Sequence, residues 1–117
     1  MLNSSDLLRG LTDTLILAYL FDHDSYGYEI NKRVTASSGG AFNFKEATLY
    51  TSFRRLEEGG YISSYWGGEE TGARRRYYTI TETGKKFFLE NKEDWNNIKS
   101  LIDGLLETKK INQEKKI

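Results

Sequence analysis

The chain has 117 residues, 38% apolar and 29% charged, with 17 basic against 17 acidic side chains, no cysteine and one histidine, His23. This is the composition of a soluble protein with a single core. It excludes a disulfide scaffold, a thiolate metal site and a uniformly basic nucleic-acid binder, so any DNA contact must come from local segregation of charge. Such segregation is present: Arg54, Arg55, Arg74, Arg75 and Arg76 crowd the centre, whereas Asp6, Asp13, Asp22 and Asp24 fall in the first segment.

In chain order, Asn3, Ser4 or Ser5 can cap a first helix that runs to about Asp22, with Leu8, Leu11, Leu15 and Ala18 at helical spacing. Its second half, Leu15 to Phe21, is apolar almost all round, which makes it the expected pillar of the core. Nothing in Met1–Asp6 resembles the basic start of a signal peptide, and no run reaches membrane-spanning length, so a cytoplasmic location without a membrane partner is expected. Ser25 can cap a second helix from Tyr26, with Gly27, Ile30 and Val34 inward, and Ser37 to Gly40 ends it.

Asn43 and Glu46 have the spacing of a capping box and start a third helix, which Gly59-Gly60 stops. This helix carries Leu49, Phe53 and Leu56 on one face and Ala47, Thr51 and Arg54 on the other. Short outward side chains let a helix backbone approach base edges closely, and their methyls can meet the thymine methyl. Tyr61–Trp66 and Arg74–Ile80 are rich in aromatic and β-branched residues and flank a glycine-rich segment, the pattern of a hairpin with an arginine-rich tip. Along the second strand Arg74 and Arg76 share a face and Arg75 points the other way, so the three are not expected to do one job.

Thr81 can cap a final helix from Glu82 to about Lys110. Phe88, Asn91, Trp95, Ile98, Ile102 and Leu105 alternate spacings of three and four along it, the pattern of a coiled-coil seam, and a homodimer formed with part of the first helix is expected. The expected fold is mainly α with a β-hairpin: a winged helix-turn-helix over 1–80, a dimerisation helix over 81–110 and a frayed tail over 111–117. A helical bundle would have no use for the β-rich segment.

Several short motifs occur in order: Gly27-Tyr28-Glu29-Ile30, Thr48-Leu49-Tyr50, Arg55-Leu56-Glu57, Gly60-Tyr61-Ile62, Gly72 with Arg74-Arg75-Arg76-Tyr77-Tyr78, and Thr81-Glu82-Thr83-Gly84. Together they resemble the PadR family of bacterial transcriptional regulators in its short form, over Leu8 to about Leu106. The resemblance implies a dimeric winged-helix repressor of efflux or detoxification genes, often acting on its own promoter and released by a small molecule. It puts Thr48 and Tyr50 on the recognition helix and Arg74 to Arg76 on the wing; Thr51 stands where many members carry proline. The chain is similar to the multidrug-sensing branch, in which a tryptophan of the C-terminal helix lines a pore for planar aromatic compounds. Trp95 falls at that position, with Asp13 and Leu8 of the first helix as rim candidates.

The candidate DNA contacts are therefore Lys45, Thr48, Tyr50, Thr51, Arg54, Arg74, Arg75 and Arg76, and the partner is a pseudo-palindromic duplex. Each also has a plainer reading, as a solvated helix face or as an edge that discourages strand pairing. Trp95 could equally be a large knob in a dimer seam. No enzyme is expected, nor a cofactor or metal, because His23 has no second histidine or cysteine to work with and the glycine pairs serve as stops and turns. The rival reading is a winged helix used only to bind protein, without DNA.

Overall fold

The computed structural model describes residues 11–68, 72 and 74–115, the side chains of 108–115 excepted. Its elements are α1 (Thr12–Asp22), α2 (Gly27–Ser37), α3 (Glu46–Glu58), β1 (Ile62–Gly67), β2 (Arg75–Ile80) and α4 (Glu82–Lys115). This is a winged helix-turn-helix with a long C-terminal helix, mainly α with one antiparallel hairpin. Leu8, the Asn3–Ser5 caps and Glu69-Glu70 lie outside the described residues.

The core forms where three helices and the hairpin turn their apolar faces together. Ile16, Leu17 and Leu20 of α1 meet Ile30 and Val34 of α2, Leu49, Phe53 and Leu56 of α3, and Ile62 and Tyr78 of the hairpin. Burying side chains of this size contributes about 1.5–3 kcal/mol each. Phe53 and Tyr78 stack with ring centroids 4.1 Å apart and planes 6° from parallel, which fixes the hairpin on the inner face of α3. As the apolar run of α1 predicted, that helix is covered on several sides, by α3, β2 and α4.

Two expected caps are replaced by other contacts. Ser25 does not cap α2: it is fully buried, its backbone exchanges hydrogen bonds with Tyr78 (3.2 and 2.8 Å), and its hydroxyl donates to Glu29. The bridge gives the hairpin a short third-strand contact, and Tyr26 becomes the residue flanking the helix. Asn43 does not form a capping box with Glu46, because Lys45 flanks α3 and the Asn43 side-chain oxygen accepts from Asn31 instead (2.9 Å). The Thr81 cap is as read, with its hydroxyl accepting from the Gly84 N–H at 3.0 Å and donating to the Gly60 carbonyl at 2.8 Å. Gly60 carries the left-handed backbone (φ +78°) that turns the chain out of α3.

The fourth helix runs to Lys115 rather than Lys110, so the tail expected to fray from 111 is helical as far as Lys115. At about 1.5 Å per residue it is about 50 Å long. The molecule measures 68 × 29 × 21 Å, and beyond Asn91 every described side chain of α4 is exposed. The helix therefore leaves the domain. No helix among the described residues is long and apolar enough to cross a membrane.

Candidate nucleic-acid interface

The orientation of α3 is set by Asn31 on α2. Its side-chain oxygen accepts from the Phe44 N–H (2.8 Å), and its amide nitrogen donates to the Phe44 carbonyl (3.0 Å) and to Asn43. One side chain thus closes the turn between the two helices by satisfying both backbone groups of Phe44. From the other side, Arg55 donates two hydrogen bonds to Asp13 of α1, at 2.7 and 2.6 Å. This pair raises the Arg55 pKa, through the hydrogen bond first and the charge second.

Held this way, α3 buries Leu49, Ser52, Phe53 and Leu56 and leaves Lys45, Ala47, Thr48, Tyr50, Thr51 and Arg54 exposed. The Thr51 hydroxyl donates back to the Ala47 carbonyl (2.9 Å), so the face that Thr51 turns outward is chiefly its methyl. Thr48 and Thr51 also line a shallow cavity of about 280 Å³ with Ala47 and Arg55, on the side of α3 that faces α1.

The hairpin stands beside this face. Its register pairs Trp66 with Arg76 and Ser64 with Tyr78. The three arginines are engaged differently. Arg76 donates to the Glu57 carboxylate of α3 (3.1 Å) and to the Ser64 hydroxyl (3.0 Å), which itself donates to Glu57 at 2.6 Å. The guanidinium of Arg75 lies 4.9 Å from the Tyr26 ring centre, and that of Arg74 lies 5.0 Å from the Trp66 ring centre. On the outer side Tyr65 and Tyr77 stack at 5.6 Å, and the Tyr65 hydroxyl donates to Asp24 (2.7 Å). That hydrogen bond, with burial and the Asp24 charge adding to it, pushes the Tyr65 pKa up to about 12. Burial raises the Tyr78 pKa too.

Between α3, the start of α2 and the hairpin lies an open cleft of about 550 Å³. Tyr50 and all three arginines line it, so the structure brings these sequence candidates together. Arg54 on α3 and Lys45 just before it lie outside the cleft, and Trp95 is far along α4. Two exposed aromatic residues of the lining, Tyr28 and Trp66, were not among the sequence candidates. Their signal was present: each is a large aromatic at a position where the periodicity places no core residue.

The remaining candidates fall on the first and last helices. Phe88 packs inward against Phe21 at 5.4 Å, whereas Trp95, Ile98, Ile102 and Leu105 are exposed along α4. Asp13 is engaged by Arg55, and its neighbour Thr14 accepts from Asn91, one turn before Trp95 (3.3 Å). His23 sits in the α1–α2 turn, 3.0 Å from Asp22 and 3.4 Å from Glu29. Its hydrogen bond, followed by that of Arg33, lowers the Asp22 pKa.

The model of the transcriptional regulator PadR-like family matches residues 16–90. The chain belongs to the PadR-like family. Its members regulate transcription by binding DNA and are not enzymes. An uncharacterised protein of Lysinibacillus sphaericus is 40% identical over 103 residues, spanning 88% of this chain and 94% of its own. A transcriptional regulator from Clostridium thermocellum has a similar structure, with a TM-score of 0.79, 45% identity and coverage of 87% of this chain and 96% of that one. A PadR family transcription regulator from Clostridium difficile gives 0.71 and 38%, over 81% and 97%.

Proposed function

We propose that this PadR-like regulator is a homodimeric repressor in the cytoplasm whose two α3 helices read the half-sites of a pseudo-palindrome, in efflux or detoxification promoters and in its own. The observation that carries the reading is the split of α3 into a buried apolar face and an exposed face of Lys45, Thr48, Tyr50, Thr51 and Arg54, beside an arginine hairpin. The N-terminal half of α3 enters the major groove, Thr51 offers a methyl to thymine, and Lys45, Arg54, Arg74 and Arg75 neutralise flanking phosphates, while Arg76 braces the hairpin on α3. A mobility-shift titration on the chain's own upstream region at several salt concentrations tests this. Salt-dependent retention supports it, and failure to retain the duplex at low salt sinks it.

Dimerisation is supported by the exposed stripe of Trp95, Ile98, Leu101, Ile102, Leu105 and Leu106 on α4. Single exposed apolar side chains are ordinary, but a continuous stripe at heptad spacing is a helix-pairing surface. Trp95 is 42% exposed on that stripe, close to where α4 meets α1 through Asn91 and Thr14, and two copies facing each other would make a flat platform for a planar aromatic effector. The effector would change the separation of the α3 helices and release the DNA. Quenching of tryptophan fluorescence by planar aromatics should be reduced by Trp95→Ala. Unchanged ligand affinity in that variant removes the platform.

A further inference from the structure

The cleft between α3 and the hairpin carries more than arginine. Tyr28, Tyr50 and Trp66 on its walls are 72%, 53% and 55% exposed, and among the described residues none that lines it is acidic. Among the described residues, the hydroxyls of Tyr28 and Tyr50 make no hydrogen bond, while Trp66 is held under the Arg74 guanidinium. Neutral donors on flat apolar bodies, set among arginines, match a strand of alternating sugar and phosphate: the rings lie on deoxyribose, the O–H and N–H groups donate to phosphate oxygens, and the guanidinium groups balance the charge.

The placement fits the geometry of a duplex. An element in one groove and a neighbour reaching the next groove must straddle the backbone strand between them. Accepting the reading of α3 as the major-groove element, on which this inference rests, we propose that the cleft seats one sugar–phosphate strand and that Tyr28 and Trp66 are DNA-backbone contacts. Tyr28 reaches the strand from α2 and Trp66 from β1. The strand is thereby gripped by three elements rather than by the hairpin tip alone. Because neither contact touches a base edge, both add affinity without adding sequence preference.

Fluorescence anisotropy with the full chain tests the assignment on two labelled duplexes of equal length, the upstream region and a scrambled version, over a salt series. Tyr28→Phe removes one hydroxyl and should weaken binding to both duplexes by about 5-fold, with the salt slope unchanged because no charge is lost. Trp66→Phe should do the same to a smaller extent, and Ser63→Ala, on the exposed side of β1, should have no effect. Wild-type affinity in both aromatic variants overturns the proposal while leaving DNA binding by α3 intact. A loss confined to the upstream duplex also overturns it, since that outcome puts the side chains on bases. If the unsubstituted protein binds neither duplex, the DNA reading fails and the cleft assignment fails with it.

Discussion

Arg75→Gln and Arg76→Gln remove the same charge from adjacent positions of β2, yet they should affect DNA binding differently. Each phosphate neutralised by a protein cation contributes about 0.9 to the slope of log affinity against log salt. A fourfold rise in salt, from about 50 to about 200 mM, therefore weakens binding about 3.5-fold per contact. Arg75 sits over the Tyr26 ring at the cleft and, among the described residues, pairs with no carboxylate. Its loss should flatten the slope by about 0.9. Arg76 already donates to Glu57 and Ser64, so turning to a phosphate would leave the Glu57 carboxylate unpaired close to DNA. Its loss should leave the slope unchanged and appear in stability, by about 0.2–1 kcal/mol for a half-exposed pair, or a few degrees in the melting temperature. Anisotropy titrations over the salt range and a thermal melt separate the two effects. If Arg76→Gln flattens the slope as much as Arg75→Gln does, Glu57 does not withhold that guanidinium and the division of labour on the hairpin is wrong.

Gly84→Ala should destabilise the domain, since its Cβ would lie 2.0 Å from the Tyr61 carbonyl oxygen and 2.8 Å from Ile80; we expect a loss of about 1–3 kcal/mol, read in a denaturant melt. The Tyr65–Asp24 contact should give a stability difference between the protein and Tyr65→Phe that holds below the ordinary tyrosine pKa of about 10. Because the folded pKa is raised, to about 12, that difference should vanish as pH climbs through that value; denaturant melts from pH 8 upward check it, and a constant difference would deny the hydrogen bond. Leu105→Glu, at a 70% exposed position on α4, should leave the fold intact and turn the proposed dimer into monomer in sedimentation, with loss of tight binding to two-half-site DNA.

The helices and the hairpin were legible in the sequence because their signals are local: the 3.6-residue period of Leu49, Phe53 and Leu56, the glycines after α3, and the cap at Thr81. What was not legible depends on contacts between distant segments. Ser25 has the chemistry of a cap, but Tyr78, more than fifty residues away, takes its backbone into a β-bridge. Asn43 has the spacing of a capping box, but Asn31 competes for its oxygen. Tyr28 and Trp66 were missed for a related reason. A single exposed aromatic means little in a sequence, and only the fold brings one from α2 and one from β1 to the same cleft. The alternation of β2 did anticipate that its arginines would be engaged differently, because side-chain direction along a strand is fixed by the backbone alone.

The same long-range contacts constrain how a signal on α4 could reach DNA. Thr81 bonds the Gly60 and Tyr61 carbonyls, Gly84 packs on the Tyr61 backbone, and Tyr61 and Phe87 stack 4.1 Å apart with planes 11° from parallel. The root of α4 is thus fastened to the junction of α3 and β1. Glu57, Ser64 and Arg76 fasten the hairpin to α3 in turn. With these joints in place, α3, the hairpin and the first turns of α4 move together, and a close-packed unit of this kind shifts as a body rather than bending internally. An effector beside Trp95 would then leave the reading of each half-site alone. What it can change is the spacing between two such units, and a duplex carrying one half-site would not respond to it.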